Sequence, residues 1–186
     1  GVDLSVGAVM AITGAVAAQL INTEGIPFPV VIAASLCVAL IAGAWNGLLV
    51  GAFNVQPIVA TLILMVAGRG VAQLITGGQI ITFTDPLLTY VGNGSLLGLP
   101  FPVLLSMAML AVTILITRKT AIGLFIETVG DNQRASLYAG VNGASVKFFV
   151  YVFSGFCAGL AGLVAASNIK CADANHAGLF LELDAI

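Results

Sequence analysis

The chain has 186 residues, 60% of them hydrophobic and 8% charged, with a mean hydropathy of +1.13 and a formal net charge of −2. Soluble domains carry about 25% charged residues, so this composition excludes an ordinary soluble fold and defines an integral membrane protein. The lack of a basic patch outside one central loop excludes nucleic-acid binding, and no apolar run shows the alternation of a barrel strand, which leaves an all-α polytopic class.

Five apolar runs have the length of a membrane-crossing helix, about 17 to 25 residues, and the start of a sixth follows them. We read one transmembrane domain over residues 1–186. The sequence opens at Gly1 without Met and stops at Ile186 inside an apolar stretch, so it is expected to be a fragment truncated at both ends.

The first span covers residues 4–21. Asp3 and Ser5 are acceptors suited to a helix start, while Gly7 with Ala11, and Gly14 with Ala18, place small residues four apart, where another helix can approach closely. The turn at 22–29 holds Glu24 without Lys or Arg and is expected outside. The second span, 30–50, carries Gly43, Gly47 and Gly51 at four-residue spacing, predicting a buried helix–helix seam. Asn46 beside it is a polar group at membrane depth, serving either as an interhelical hydrogen bond or as a substrate contact. Trp45 is either packed or interfacial.

The polar turn Asn54-Val55-Gln56-Pro57 leads to the third span, 58–75, with Pro57 at the helix start. Arg69 falls in the outer half of this span, followed by Gly70 and Gln73. A guanidinium there either snorkels to the interface or faces water or a partner inside the bundle. Residues 76–100 form a long non-spanning stretch, with a short helix over 86–91 on the outer surface. The fourth span, 101–116, returns inward to Arg118 and Lys119.

Four of the six basic residues, Arg118, Lys119, Arg134 and Lys147, cluster in the central segment, which marks it as cytoplasmic. Within the loop 118–145, Asn132 is placed to cap a short helix over 133–139, and Gly140 stands where that helix stops. The fifth span, 146–166, has a second small-residue seam in Gly155, Gly159, Ala158, Gly162 and Ala166. Residues 167–178 are expected on the outer side, with His176 an ordinary loop residue. A further apolar helix begins at Leu179 and carries Glu182 and Asp184 on different faces.

Cys37, Cys157 and Cys171 lack metal-ligand spacing, and no nucleophile is matched to a base. No catalytic residue, no metal site and no cofactor bound by this chain are expected.

The motifs Gly1-Val2-Asp3-Leu4-Ser5-Val6-Gly7, Trp45-Asn46-Gly47-Leu48-Leu49-Val50, Gln56-Pro57-Ile58-Val59-Ala60-Thr61-Leu62, the central loop and Leu181-Glu182-Leu183-Asp184-Ala185-Ile186 follow one another in order. Together they resemble the membrane permease of bacterial carbohydrate-type ABC importers, in the ribose/galactose/xylose branch. Residues 59–83 and 172–178 are especially similar to the galactofuranose-type permease. The resemblance implies a coupling helix for a cytoplasmic ATP-binding subunit at Gly130, Asn132, Gln133, Arg134 and Ala135, ending at Ala139 and Gly140, with Ser136 where a second alanine is frequent. It further implies a multi-pass protein of the bacterial inner membrane that moves a monosaccharide by alternating access. A periplasmic sugar-binding protein would deliver the sugar, a second permease subunit, identical or related, would pair with this one, and ATP would be used by the partner subunit. Asn46, Asn54, Arg69 and Gln73 are then the polar candidates for the pathway. An ion-coupled secondary transporter is the alternative, and it would require ionisable residues at mid-membrane, where only Arg69 comes close.

Overall fold

The computed structural model describes residues 1–96, 98–179 and 181. Eight helices account for nearly all regular structure among them: α1 (Val6–Ile21), α2 (Phe28–Gly51), α3 (Pro57–Thr76), α4 (Pro86–Asn93), α5 (Phe101–Lys119), α6 (Ala121–Asp131), α7 (Gln133–Tyr138) and α8 (Gly143–Ile169). Four two-residue strands complete it: β1 (Ile81–Thr82), β2 (Ser95–Leu96), β3 (Leu99–Pro100) and β4 (Cys171–Ala172). Proline stands in the first turn of α2, α3, α4 and α5, where its missing N–H removes no helical bond. The all-α polytopic class is therefore as expected.

Helices α2, α3, α5 and α8 are long and apolar enough to cross a membrane. The 16-residue α1 is shorter, about 24 Å against a hydrocarbon core of about 30 Å. It is nonetheless the centre of the bundle, buried from Gly7 to Ala15 and again at Ala17 and Ala18, with α2, α3 and α8 around it. Ser5 precedes α1 but makes no side-chain cap; instead Asp3 Oδ1 accepts from the Ser5 amide at 3.0 Å.

Small residues bring α2 and α8 together in antiparallel contact. A Cβ added to Gly43 would stand 2.5 Å from the Tyr151 carbonyl oxygen, one on Gly47 2.9 Å from that of Phe148, and one on Gly51 2.7 Å from that of Ala144. From the opposite side, Gly155 faces Ala39 and Gly43, and Gly159 faces Ala39. Lipid supplies no hydrophobic drive between helices, so dispersion between closely approaching backbones holds this pair together. Trp45 points away from the seam and is exposed. By contrast, α5 has no buried residue among those described and leans on α4 and α6, leaving an apolar groove of about 670 Å³ between it and α8.

The two ends of the bundle differ in charge. At one end β1 pairs with β4, Asn22 Nδ2 donates to the Thr82 carbonyl at 2.9 Å, and Asn93 Nδ2 donates to those of Ser167 and Asn168. Helix α4, capped by Asp85 accepting from the Leu88 amide, extends two residues beyond the expected helix and seats Leu88 against this end instead of merely lying on the surface. At the other end Gly1, Pro57, Val129 and Val146 gather around a cavity of about 390 Å³. That end also carries Arg118, Lys119, Arg134 and Lys147 and is the basic end of the bundle, the charge pattern expected of a cytoplasmic face.

One expectation about placement is corrected. Only the beginning of segment 167–178, expected on the outer side, lies at the end opposite the basic residues. Ala172 packs with Ala18 there, but Ala174 is buried with Ala11, Ile12, Ala15 and Ala72, and Gly178 abuts Gly7 at the start of α1. From the level of Ala18 to that of Gly7 is a descent of about 16 Å along α1. The segment is re-entrant. Its residues are small, so a non-helical chain fits between helices, and no 3.6-residue apolar period marks its path. The helix expected from Leu179, with Glu182 and Asp184, falls mostly outside the described residues.

Candidate functional site

Three groups of residues carry polar or exposed chemistry that bundle packing alone does not require. The first is the hairpin of α6 and α7 at the basic end of the bundle. The chain reverses from α5 into α6 so tightly that a Cβ on Gly123 would overlap the Thr117 carbonyl. Helix α6 was missed in the sequence, although Ile122, Phe125, Ile126 and Val129 give it an apolar stripe at helical spacing. Asn132 then ends α6 and caps α7, its Oδ1 accepting from the amides of Arg134 at 3.1 Å and Ala135 at 3.0 Å. At the far end Gly140 adopts φ +81°, the Val141 amide donates to the Ser136 carbonyl and the Gly140 amide to that of Leu137. This pair of bonds is a Schellman termination.

Short as it is, α7 is stopped at both ends and fastened to the bundle, because Lys147 Nζ donates to Gln133 Oε1 at 2.9 Å and Ser136 is buried. Gly130, Asn132, Arg134, Ala135, Ala139 and Gly140 are exposed around it. Two residues not singled out in the sequence project furthest, Leu137 at 68% and Tyr138 at 91% exposure. The result is a rigid apolar knob on a basic surface.

The second group lies inside the half of the bundle toward the basic end. Asp3 Oδ1 accepts from Ser5 Oγ at 2.6 Å, Asp3 Oδ2 accepts from Ser154 Oγ at 2.7 Å, and Asn46 Nδ2 donates to Ser5 Oγ at 2.9 Å. Asn46 is 1% exposed, and its Oδ1 has no hydrogen-bond partner among the described residues; the same holds for the buried Tyr151 hydroxyl nearby. Asn46 thus joins α2 to the lead-in of α1. Asp3 is a further polar residue of the interior, read in the sequence only as a helix start. Asn54 is apart from this group, exposed in the α2–α3 turn with φ +53°, a left-handed conformation that Asn tolerates better than most residues.

The third group is built on the re-entrant segment. Arg69 Nη1 donates to the carbonyls of Ala174, Asn175 and Ala177, each at 3.1 Å, and Gln73 Nε2 donates to Asn175 Oδ1 at 2.7 Å. Asp173 accepts from the amides of Asn175 and His176 and lies 2.7 Å from His176 Nδ1. Arg69 and Gln73 are therefore brought together, one helical turn apart on α3, while Asn46 and Asn54 bond or lie elsewhere. Among the described residues no cluster of His, Cys, Asp and Glu could hold a metal ion.

The whole chain, residues 1–186, matches the family model described as branched-chain amino acid transport system / permease component. The chain belongs to this family of membrane permeases, and with four membrane-length apolar helices among the described residues it is a multi-pass inner-membrane protein. It is 56% identical over 186 residues to the galactofuranose transporter permease protein YtfT of Escherichia coli (strain K12), covering 100% of this chain and 54% of that protein. It is 40% identical over 191 residues to the fructose import permease protein FruF of Bifidobacterium longum (strain NCC 2705), covering 100% of this chain and 53% of that one. It is 38% identical over 190 residues to the ribose import permease protein RbsC of Haemophilus influenzae (strain ATCC 51907 / DSM 11121 / KW20 / Rd), covering 100% and 58%. The chain thus spans little more than half the length of these relatives. No solved structure matches it.

Proposed function

We propose that the protein is the membrane-spanning subunit of an ATP-binding-cassette importer that carries a monosaccharide, galactofuranose or a sugar like it, by alternating access. The observation that supports this most is the 56% identity to the galactofuranose permease across the whole chain. The sugar names of the other relatives point the same way, although the family as a whole is described by branched-chain amino acids. ATP is hydrolysed in a separate cytoplasmic subunit, a periplasmic binding protein delivers the sugar, and a second permease subunit, identical or related, completes the pathway.

In this reading α7 is the coupling element. Its exposed Leu137 and Tyr138 enter a groove of the ATPase subunit, while the Lys147–Gln133 bond and the α2–α8 seam transmit the displacement into the bundle. ATP shifts the permease between states only to the extent that the ATPase binds those states unequally.

The test is uptake by the full-length parent in proteoliposomes with its ATPase subunit and a binding protein loaded with radiolabelled galactofuranose, ribose or fructose. Uptake that requires ATP and the ATPase subunit is expected. Uptake that persists without that subunit and collapses with the ion gradient would establish a secondary transporter instead.

A further inference from the structure

The re-entrant segment places irregular backbone at membrane depth, where each unbonded carbonyl is costly unless protein or water satisfies it. Arg69 does this for three carbonyls at once. Its outer neighbour Gln73 holds the Asn175 side chain, and the buried Ala174 anchors the turn against α1 and α3. The segment is therefore fixed from behind, and what it presents forwards is His176, whose side chain is 80% exposed.

The ring is oriented. Asp173 carboxylate oxygens only accept, so the proton between the two residues sits on His176 Nδ1, and Nε2 is directed away from the pair. An oriented imidazole and the polar groups behind it do not face hydrocarbon stably, so this face meets either further protein or an aqueous path, and its polar, oriented groups suit the second. A neutral polyhydroxylated solute is the ligand such a face suits, because a hydroxyl can both donate and accept and so pairs with Nε2 in either role.

We propose that residues 173–178 form a re-entrant element of the sugar pathway in which His176 contacts a sugar hydroxyl and Arg69, Gln73 and Asp173 position it. This rests on the importer reading above.

Two measurements on the full-length transporter test it. In an otherwise cysteine-free background, Cys37, Cys157 and Cys171 included in the replacements by Ala, His176→Cys is treated with a membrane-impermeant, hydrophilic thiol reagent. Labelling that sugar-loaded binding protein with ATP slows is expected. No labelling would mean that lipid or another part of the protein covers the face, and would overturn the proposal whatever is transported.

The second readout is sugar moved per ATP hydrolysed in proteoliposomes. His176→Ala is expected to lower this ratio about tenfold, the equivalent of one lost hydrogen bond, while stimulation of the ATPase by the binding protein persists and His176→Gln recovers most of the ratio. An unchanged ratio in His176→Ala, in a system whose wild type carries sugar, would overturn the proposal alone. A wild type that moves no monosaccharide, together with labelling of His176→Cys, would overturn the importer reading and the sugar as ligand.

Discussion

Ser154 Oγ donates to Asp3 Oδ2 at 2.7 Å, joining the middle of α8 to the lead-in of α1 across 151 residues of sequence. Through Asp3 Oδ1 and Ser5 the same carboxylate reaches Asn46 of α2, so one acid ties three helices. Ser154→Ala removes one donor and is expected to cost about 1 kcal/mol of stability, whereas Asp3→Leu strands Ser5 and Ser154 together and costs about 3 kcal/mol. Thermal unfolding of the full-length protein in detergent measures both. Midpoints equal to wild type in both variants would show that the network contributes nothing.

Gly47→Leu tests the α2–α8 seam. Even a Cβ at this position lies 2.9 Å from the Phe148 carbonyl oxygen, and backbone has no way to move aside locally. Loss of folded, monodisperse protein is expected. The same substitution at Gly70, where nothing lies within 4 Å of an added Cβ, is expected to leave the yield unchanged. Normal yield from Gly47→Leu would remove the seam from the account.

Arg69→Lys keeps the charge but not the geometry. One ammonium group on a flexible stem is a poorer match than a planar guanidinium for carbonyls of residues 174, 175 and 177. The segment is expected to loosen, read as faster proteolysis or hydrogen exchange within 173–178, with helix content retained. Protection equal to wild type would show that Ala174 and Gly178 hold the segment unaided.

Tyr138→Ala is expected to change stability by no more than about 0.5 kcal/mol, because the ring is 91% exposed and its loss opens no cavity. Binding of the ATPase subunit to permease-containing membranes is expected to weaken about tenfold, as for a small interface hot spot. Unaltered binding would place the contact elsewhere on the cytoplasmic end.

Most of the helical layout was legible because apolar runs and proline starts are local signals. Asn132 and Gly140 delimited α7 for the same reason: a cap and a left-handed termination are written within a few residues. Helix α6 was legible in principle from Ile122, Phe125, Ile126 and Val129 but was hidden inside a segment read only for its charge. The candidate pathway was legible only in part. Arg69 and Gln73 stand out as polar residues in an apolar span, yet what they bind lies 102 to 108 residues away and consists mostly of backbone carbonyls, which no side-chain pattern reveals. Likewise nothing in Ala174, Ala177 and Gly178 announces a descent into the membrane, since small residues serve a surface turn equally well.

The most direct measurement of the central claim is disulfide cross-linking from Tyr138→Cys in the full-length, otherwise cysteine-free protein to single cysteines lining the groove of its ATPase subunit. The account predicts a cross-link whose yield changes when ATP is added, because the knob moves with the nucleotide state. No cross-link at any groove position, with the ATPase subunit bound and folded, would contradict it.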